Sequence, residues 1–240
     1  MKNSCAKVFI RLSYLARMAT YNMTKTRANK ILELLRKKYE LPDWRSRTRD
    51  PFETLVVTVI SQNTSGRNTA RAFENLSKRF EINPEALSKA NLDEIEGTLK
   101  VAGLYRNKAK VIKRLAKTVQ EDLDGSLNSI FGTSLEDARE KLLGLPGVGP
   151  KTADVVLLFS ANKPTLPVDT HVNRVSKRLG LVDANADYEK VRKGLQMLFD
   201  PRDYYAVHVL LILHGRKYCR ARNPLCDWCP VNQLCPSRVD

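Results

Sequence analysis

The chain has 240 residues, with 41 lysines and arginines against 26 acidic residues and a formal net charge of +15; this length accommodates one large domain or two small ones, each with its own core. With 42% hydrophobic and 28% charged residues it reads as a folded, soluble protein with a polyanionic partner, although charge alone does not separate DNA from RNA or an anionic membrane. No apolar run approaches the roughly 20 residues that span a bilayer, and Val8-Phe9-Ile10 is interrupted by Arg11, so neither membrane insertion nor secretion is expected and an intracellular location is.

The earliest acidic residue is Glu33, whereas Lys2, Lys7, Arg11, Arg17, Lys25, Arg27 and Lys30 precede it. Residues 1–23 are therefore set apart as a basic tail, which fits an organellar transit peptide, a start before Met18 or Met23, or a basic DNA-binding arm. A first helix carries Ile31, Leu34 and Leu35 on one face and ends before Pro42, and Trp44 to Asp50 reads as a charged linker. Asp50-Pro51 looks like an N-cap followed by proline at the first helical position. The run Leu55-Val56-Val57-Thr58-Val59-Ile60 is β-branched enough that propensity alone predicts a strand. Helices are predicted from Asn83-Pro84 through Leu87 and from Leu92 to Val101, before Gly103. A basic helix over Lys108 to Gln120 turns Val111, Ile112, Leu115 and Val119 inward and Lys110, Lys113, Arg114 and Lys117 largely outward, which marks a solvated face. Ser126 to Thr133 reads as loop, and Thr133-x-x-Glu136 as a capping box leading into Leu135, Ala138 and Leu142. A helix over Lys151 to Ala161 follows, then one capped by Asp169 or Thr170, with Val172, Val175 and Leu179 apolar and Gly180 as its stop. Asp200-Pro201 opens the last long helix, which carries His208 and His214 as packing residues and ends at Gly215. Helical spacing and regular punctuation together predict an all-α protein.

Between two of these helices lies Leu145-Pro146-Gly147-Val148-Gly149-Pro150-Lys151-Thr152-Ala153-Asp154. Gly147 and Gly149 tolerate positive φ and carry no side chain, so their backbone can approach an anion closely, while Pro150 suits the first helical position. A helix start is a ready phosphate site, and its positive end disfavours an ammonium beside it. An ordinary lysine, with a pKa of about 10.4, is almost wholly protonated at neutral pH, so a nucleophilic lysine needs such help, together with desolvation or a base. Lys151 is placed for this, and Asp169 follows eighteen residues later in Val168-Asp169-Thr170-His171. A carboxylate at Asp169 could accept a proton or stabilise developing positive charge, and a capping role would favour the second.

Four of the five cysteines crowd the C-terminus as Cys219-x6-Cys226-x2-Cys229-x5-Cys235, with Cys5 apart. In a chain not expected to be secreted, four thiols so close in sequence point to metal ligation rather than disulfides. Spacing alone leaves both zinc and an iron–sulfur cluster open, although zinc sites more often pair two short CxxC knuckles and only one CxxC is present.

The hairpin and the segment Val168 to His171 resemble the endonuclease III family of helix-hairpin-helix DNA glycosylases, in which LPGVGxKTAxVV is followed by VDTH. The resemblance spans approximately residues 24 to 237. It implies a six-helix barrel over residues 45–162, inserted between residues 24–44 and 163–240 of a discontinuous iron–sulfur domain, and it implies a helix at Leu55 to Ile60. It further implies a [4Fe–4S] cluster on Cys219, Cys226, Cys229 and Cys235, and Lys151 and Asp169 as catalytic residues meeting in an interdomain cleft. Gly147, Val148 and Gly149 would hold the DNA backbone, Gln62 would fill the gap left by a flipped nucleotide, and Leu104 would act as a wedge. His171 belongs to the same motif, and Arg220 and Arg222 in the cysteine loop would address phosphates. The implied activity is removal of oxidised pyrimidines from duplex DNA by a single chain, followed by strand cleavage at the abasic site through a lysine Schiff base. Two alternatives are a monofunctional mismatch or adenine glycosylase, whose members generally lack the lysine, and a non-catalytic DNA-binding or redox-sensing iron–sulfur module. Ser65 and Leu143 depart from the family, which carries acids at those places, and bear on lesion preference.

Overall fold

The computed structural model describes residues 24–42 and 50–238. They form twelve α-helices, short 3-10 turns and no strand. The chain divides into two compact units, residues 43–167 and residues 1–42 with 168–240. The basic tail, the linker before Asp50 and Cys5 lie outside the described residues.

The unit of residues 43–167 runs through α2 (Pro51–Ser61), α3 (Gly66–Arg79), α4 (Pro84–Lys89), α5 (Leu92–Leu99), α6 (Tyr105–Asp122), α7 (Asn128–Phe131), α8 (Leu135–Leu143) and α9 (Pro150–Phe159). The amphipathic α6 packs on α2, α4 and α5, and α9 packs on α2 and α8. The Leu55–Ile60 segment is helical, against its local propensity. Asp50 caps it by accepting the N–H groups of Phe52 and Glu53, Pro51 starts it, and Leu55, Val56, Val59 and Ile60 are buried in the core. Burial of that face outweighs a propensity worth at most about 1 kcal/mol per residue. The segment Ser126 to Thr133, expected as loop, contains the single turn α7 around the buried Ile130. The cap of α8 is Ser134, whose side chain accepts the Asp137 N–H, rather than Thr133, whose hydroxyl donates to Ile130 O. Ser and Thr compete for the same cap, and the helix register, set by burying Ala138 and Leu142, selects Ser134.

The second unit contains α1 (24–38), α10 (Thr170–Arg178), α11 (Tyr188–Leu198) and α12 (Tyr204–Lys217). In α1 the buried face comprises Ala28, Ile31, Leu32 and Leu35, with Leu34 only half-buried. Helix α10 packs on α11 and α12. Asp200-Pro201 opens a 3-10 turn, Pro201–Asp203, with α12 beginning only at Tyr204. Asp200 is used as the cap of that turn.

Candidate active site

The hairpin is built from a tight turn. Val148 N donates to Leu145 O at 3.1 Å, Pro146 occupies the second position, and Gly147 in the third has φ of 76°, the pattern of a type II turn. A side chain is excluded at Gly147 twice over, because a Cβ there would sit 2.2 Å from Val111 Cγ1 on α6. Gly149 differs: it is extended, with φ of −95°, and a Cβ there meets nothing within 4 Å. It is the N-cap of α9, Pro150 follows it, and no side chain caps this helix start. Val148 is buried and its N–H closes the turn, so it anchors the hairpin. Lys151 stands one residue inside α9 and is half-buried.

Behind the lysine, Asp154 is fully buried on α9. Arg139 from α8 donates to it through Nε at 2.9 Å and Nη2 at 3.3 Å, and Thr165 Oγ1 donates to Oδ1 at 2.8 Å. This ion pair holds the two helices that flank the hairpin. Its sequence signal is an aspartate inside the otherwise apolar run Ala153 to Leu158.

The hairpin also receives Gln62, the C-cap of α2, whose Nε2 donates to Gly147 O at 3.3 Å. Two residues on, Thr64 Oγ1 makes a short hydrogen bond to Ala102 O, and Leu104 follows two residues after Ala102. Leu104 is 64% exposed and left-handed, with φ of 47°. Lys108 joins these loops: its Nζ donates to Thr64 Oγ1 at 2.5 Å and to Ala102 O at 2.7 Å, and burial pushes its amine below the ordinary lysine range. Ser65 caps α3 by accepting the Asn68 N–H, and Leu143 is partly exposed at the end of α8.

In the other unit Asp169 is the N-cap of α10, its Oδ1 accepting the Val172 N–H at 2.7 Å. Lys151 and Asp169 belong to different units. Arg174 donates to His171 Nδ1 at 3.1 Å, and also to Gly215 O and Cys219 O. Burial lowers the His171 pKa despite the nearby Asp169 carboxylate.

The four C-terminal cysteines are half-buried and line one cavity of about 170 Å³ together with Arg178 and His214. Burial pushes the Cys229 thiol up to about 11, and the other three cysteines add to the shift. His214 Nε2 lies 3.5 Å from Cys229 Sγ, and its Nδ1 is 3.3 Å from the Tyr39 hydroxyl. His214 is thus more than the packing residue its apolar helix suggested, whereas His208 is buried as expected. Arg178 Nη1 approaches Cys219 Sγ at 3.6 Å and donates to Arg220 O at 2.6 Å, while Nη2 donates to Ala221 O. Arg220 and Arg222 are exposed in this loop.

Residues 56–201 match the model of the HhH-GPD superfamily of base excision DNA repair proteins. Endonuclease III of Sulfolobus acidocaldarius is 33% identical over 221 residues, 89% of this chain and 97% of that protein. Endonuclease III of Bacillus subtilis is 37% identical over 78% of this chain and 81% of its own length. The solved structure of a trapped endonuclease III–DNA covalent intermediate superposes with a TM-score of 0.76 at 31% identity, over 89% of this chain and 96% of that one. The chain therefore belongs to the endonuclease III family, within the helix-hairpin-helix superfamily of base-excision DNA repair proteins.

Proposed function

We infer that the chain is a DNA glycosylase of base-excision repair with abasic-site lyase activity, taking duplex DNA that carries oxidised pyrimidines. The observation that carries this reading is Lys151, one residue inside a helix whose start has no side-chain cap and whose N-cap, Gly149, has open space before it. A phosphate fits such a helix start, where the dipole and the first-turn amides favour an anion. Binding there would bring the sugar of an adjacent, extruded nucleotide within reach of Lys151.

In the proposed reaction the Lys151 amine attacks C1′ and the glycosidic bond breaks, the base leaving with the bonding electrons and taking up a proton. The remaining amine–sugar adduct opens to a Schiff base. Loss of a C2′ proton then expels the 3′ phosphate and cleaves the strand by β-elimination. Asp169 supplies a carboxylate whose orientation is fixed by the Val172 N–H, suited to stabilising positive charge as the base departs. Gln62 fills the vacated stack and Leu104 wedges the duplex open. His171, Arg220 and Arg222 contact the DNA backbone.

Cys219, Cys226, Cys229 and Cys235 are the residues that would hold a [4Fe–4S] cluster. The four thiols line one cavity of about 170 Å³, and a thiolate set of this kind suits such a cluster. When bound, that group cross-links the loop carrying Arg220 and Arg222.

Borohydride trapping on duplexes containing thymine glycol, uracil or an abasic site tests the reading. The wild-type chain is expected to form a covalent adduct that Lys151→Ala abolishes. No adduct on any duplex overturns the lyase assignment, and trapping that survives the substitution moves the nucleophile elsewhere.

A further inference from the structure

Lys108 is 4% exposed, and among the described residues no carboxylate pairs with its ammonium. It also sits in the first turns of α6, where the helix dipole disfavours a positive charge. An apolar side chain of similar length would fill this place at less cost in desolvation. What the lysine adds is direction. One donor goes to Thr64 Oγ1 and one to Ala102 O, and the Thr64 hydroxyl itself donates to Ala102 O, so three groups from three segments close a small buried network.

The network lies between the two elements given the task of entering DNA. Gln62 and Thr64 share the loop after α2, and Ala102 leads through Gly103 to Leu104. Gly103 and Leu104 have φ of 61° and 47°, and Leu104, in the left-handed region, is exposed. A non-glycine residue is held in that region only when its surroundings over-determine it, and here a buried cation grips the carbonyl two residues earlier.

We propose that Lys108 is a positioning residue for DNA insertion, tying the Gln62 and Leu104 loops into one rigid piece so that plug and wedge enter the duplex in fixed register. This role rests on the glycosylase/lyase reading above. It predicts a requirement for Lys108 that appears only where there is a base stack to open.

Single-turnover cleavage of an abasic site in duplex and in single-stranded DNA separates that role from a general structural one. The same proteins are tested on a duplex with 2-aminopurine beside a tetrahydrofuran abasic analogue, whose fluorescence reports insertion. Lys108→Met is expected to slow duplex cleavage by about tenfold or more, the scale of a small misplacement, while the single-strand rate changes by less than about twofold. The fluorescence change should fall in parallel. In a Leu104→Ala background the further loss should be small, because both substitutions act through the same wedge. Thr64→Val removes one partner and should shift the duplex-to-single-strand ratio in the same direction; it decides the matter if Lys108→Met does not fold. An unchanged ratio, an equal fall on both substrates, or losses at Lys108 and Leu104 that simply multiply would overturn the role while leaving the lyase reading intact. A wild-type chain that cleaves neither substrate overturns both.

Discussion

The hairpin of residues 145–149 and the cysteine loop of residues 219–235 are both short irregular segments, yet they are held by opposite means. The hairpin rests on its own turn, on the buried side chains of Leu145 and Val148, and on Gly147 pressed against Val111. The cysteine loop has Val231 as its one fully buried aliphatic side chain; its carbonyls are gripped from outside instead, Cys219 O by Arg174, Arg220 O and Ala221 O by Arg178, and Leu234 O by Arg27. An apolar anchor holds its shape by excluding water, whereas guanidinium–carbonyl bonds, here two partly buried and two exposed, contribute modestly one by one. The hairpin is thus preorganised by its own packing, whereas the cysteine loop is the segment that the proposed cluster would hold together.

The largest expected effect breaks the hairpin itself. Gly147→Ala puts a Cβ into Val111 at positive φ and should cost about 2–4 kcal/mol in denaturant unfolding. Gly149→Ala, with open space around the same atom, should change stability by less than about 1 kcal/mol yet weaken binding to abasic duplex. Equal stability losses at the two glycines would contradict this division of roles. On the other side of the comparison, Arg178→Met should leave borohydride trapping at the hairpin measurable but speed the loss of iron to a chelator by about 10–100-fold, the scale of an outer-shell substitution. Chelator-resistant iron in that variant would show that the loop does not need its arginine grip.

The smallest effect concerns a surface cap. The side-chain bond from Arg202, with the Arg202 N–H, holds the Asp200 carboxyl at about 2. Its folded pKa lies below the unfolded value of about 3.9, so its contribution is complete above that value and is lost as pH falls through about 2. Asp200→Asn should therefore lower the thermal midpoint at neutral pH, and the difference from wild type should shrink steadily on acidification. A difference that persists unchanged at the acid end would assign the effect to packing rather than charge.

The hairpin was legible because its chemistry is local: two glycines, two prolines and a lysine specify a turn and a helix start whatever surrounds them. The cap at Asp50 and the helix stop near Gly180 are legible for the same reason. The β-branched run Leu55–Ile60 was not legible from propensity, since its state is decided by the face it buries; likeness to known relatives supplied the helix instead. The capping box expected at Thr133 falls one residue later, on Ser134, because packing of Ala138 and Leu142 sets the register of the helix. Lys108 was hidden most completely, as one more cation at the head of a basic helix, because nothing in its neighbours reveals that Thr64 and Ala102 come to meet it.

By itself the sequence determined what depends on short spacings: an all-α chain, a glycine turn and helix start ahead of Lys151, a helix cap at Asp169 or Thr170, and four thiols close together along the chain. The tertiary structure alone decided which cation is buried, which glycine is sterically required, how Gln62 meets the hairpin, and that Arg178 and His214 stand against the cysteines. The physical reason is range: turns and caps are satisfied within a few residues, whereas desolvation and long-range hydrogen bonds depend on segments that only folding brings together.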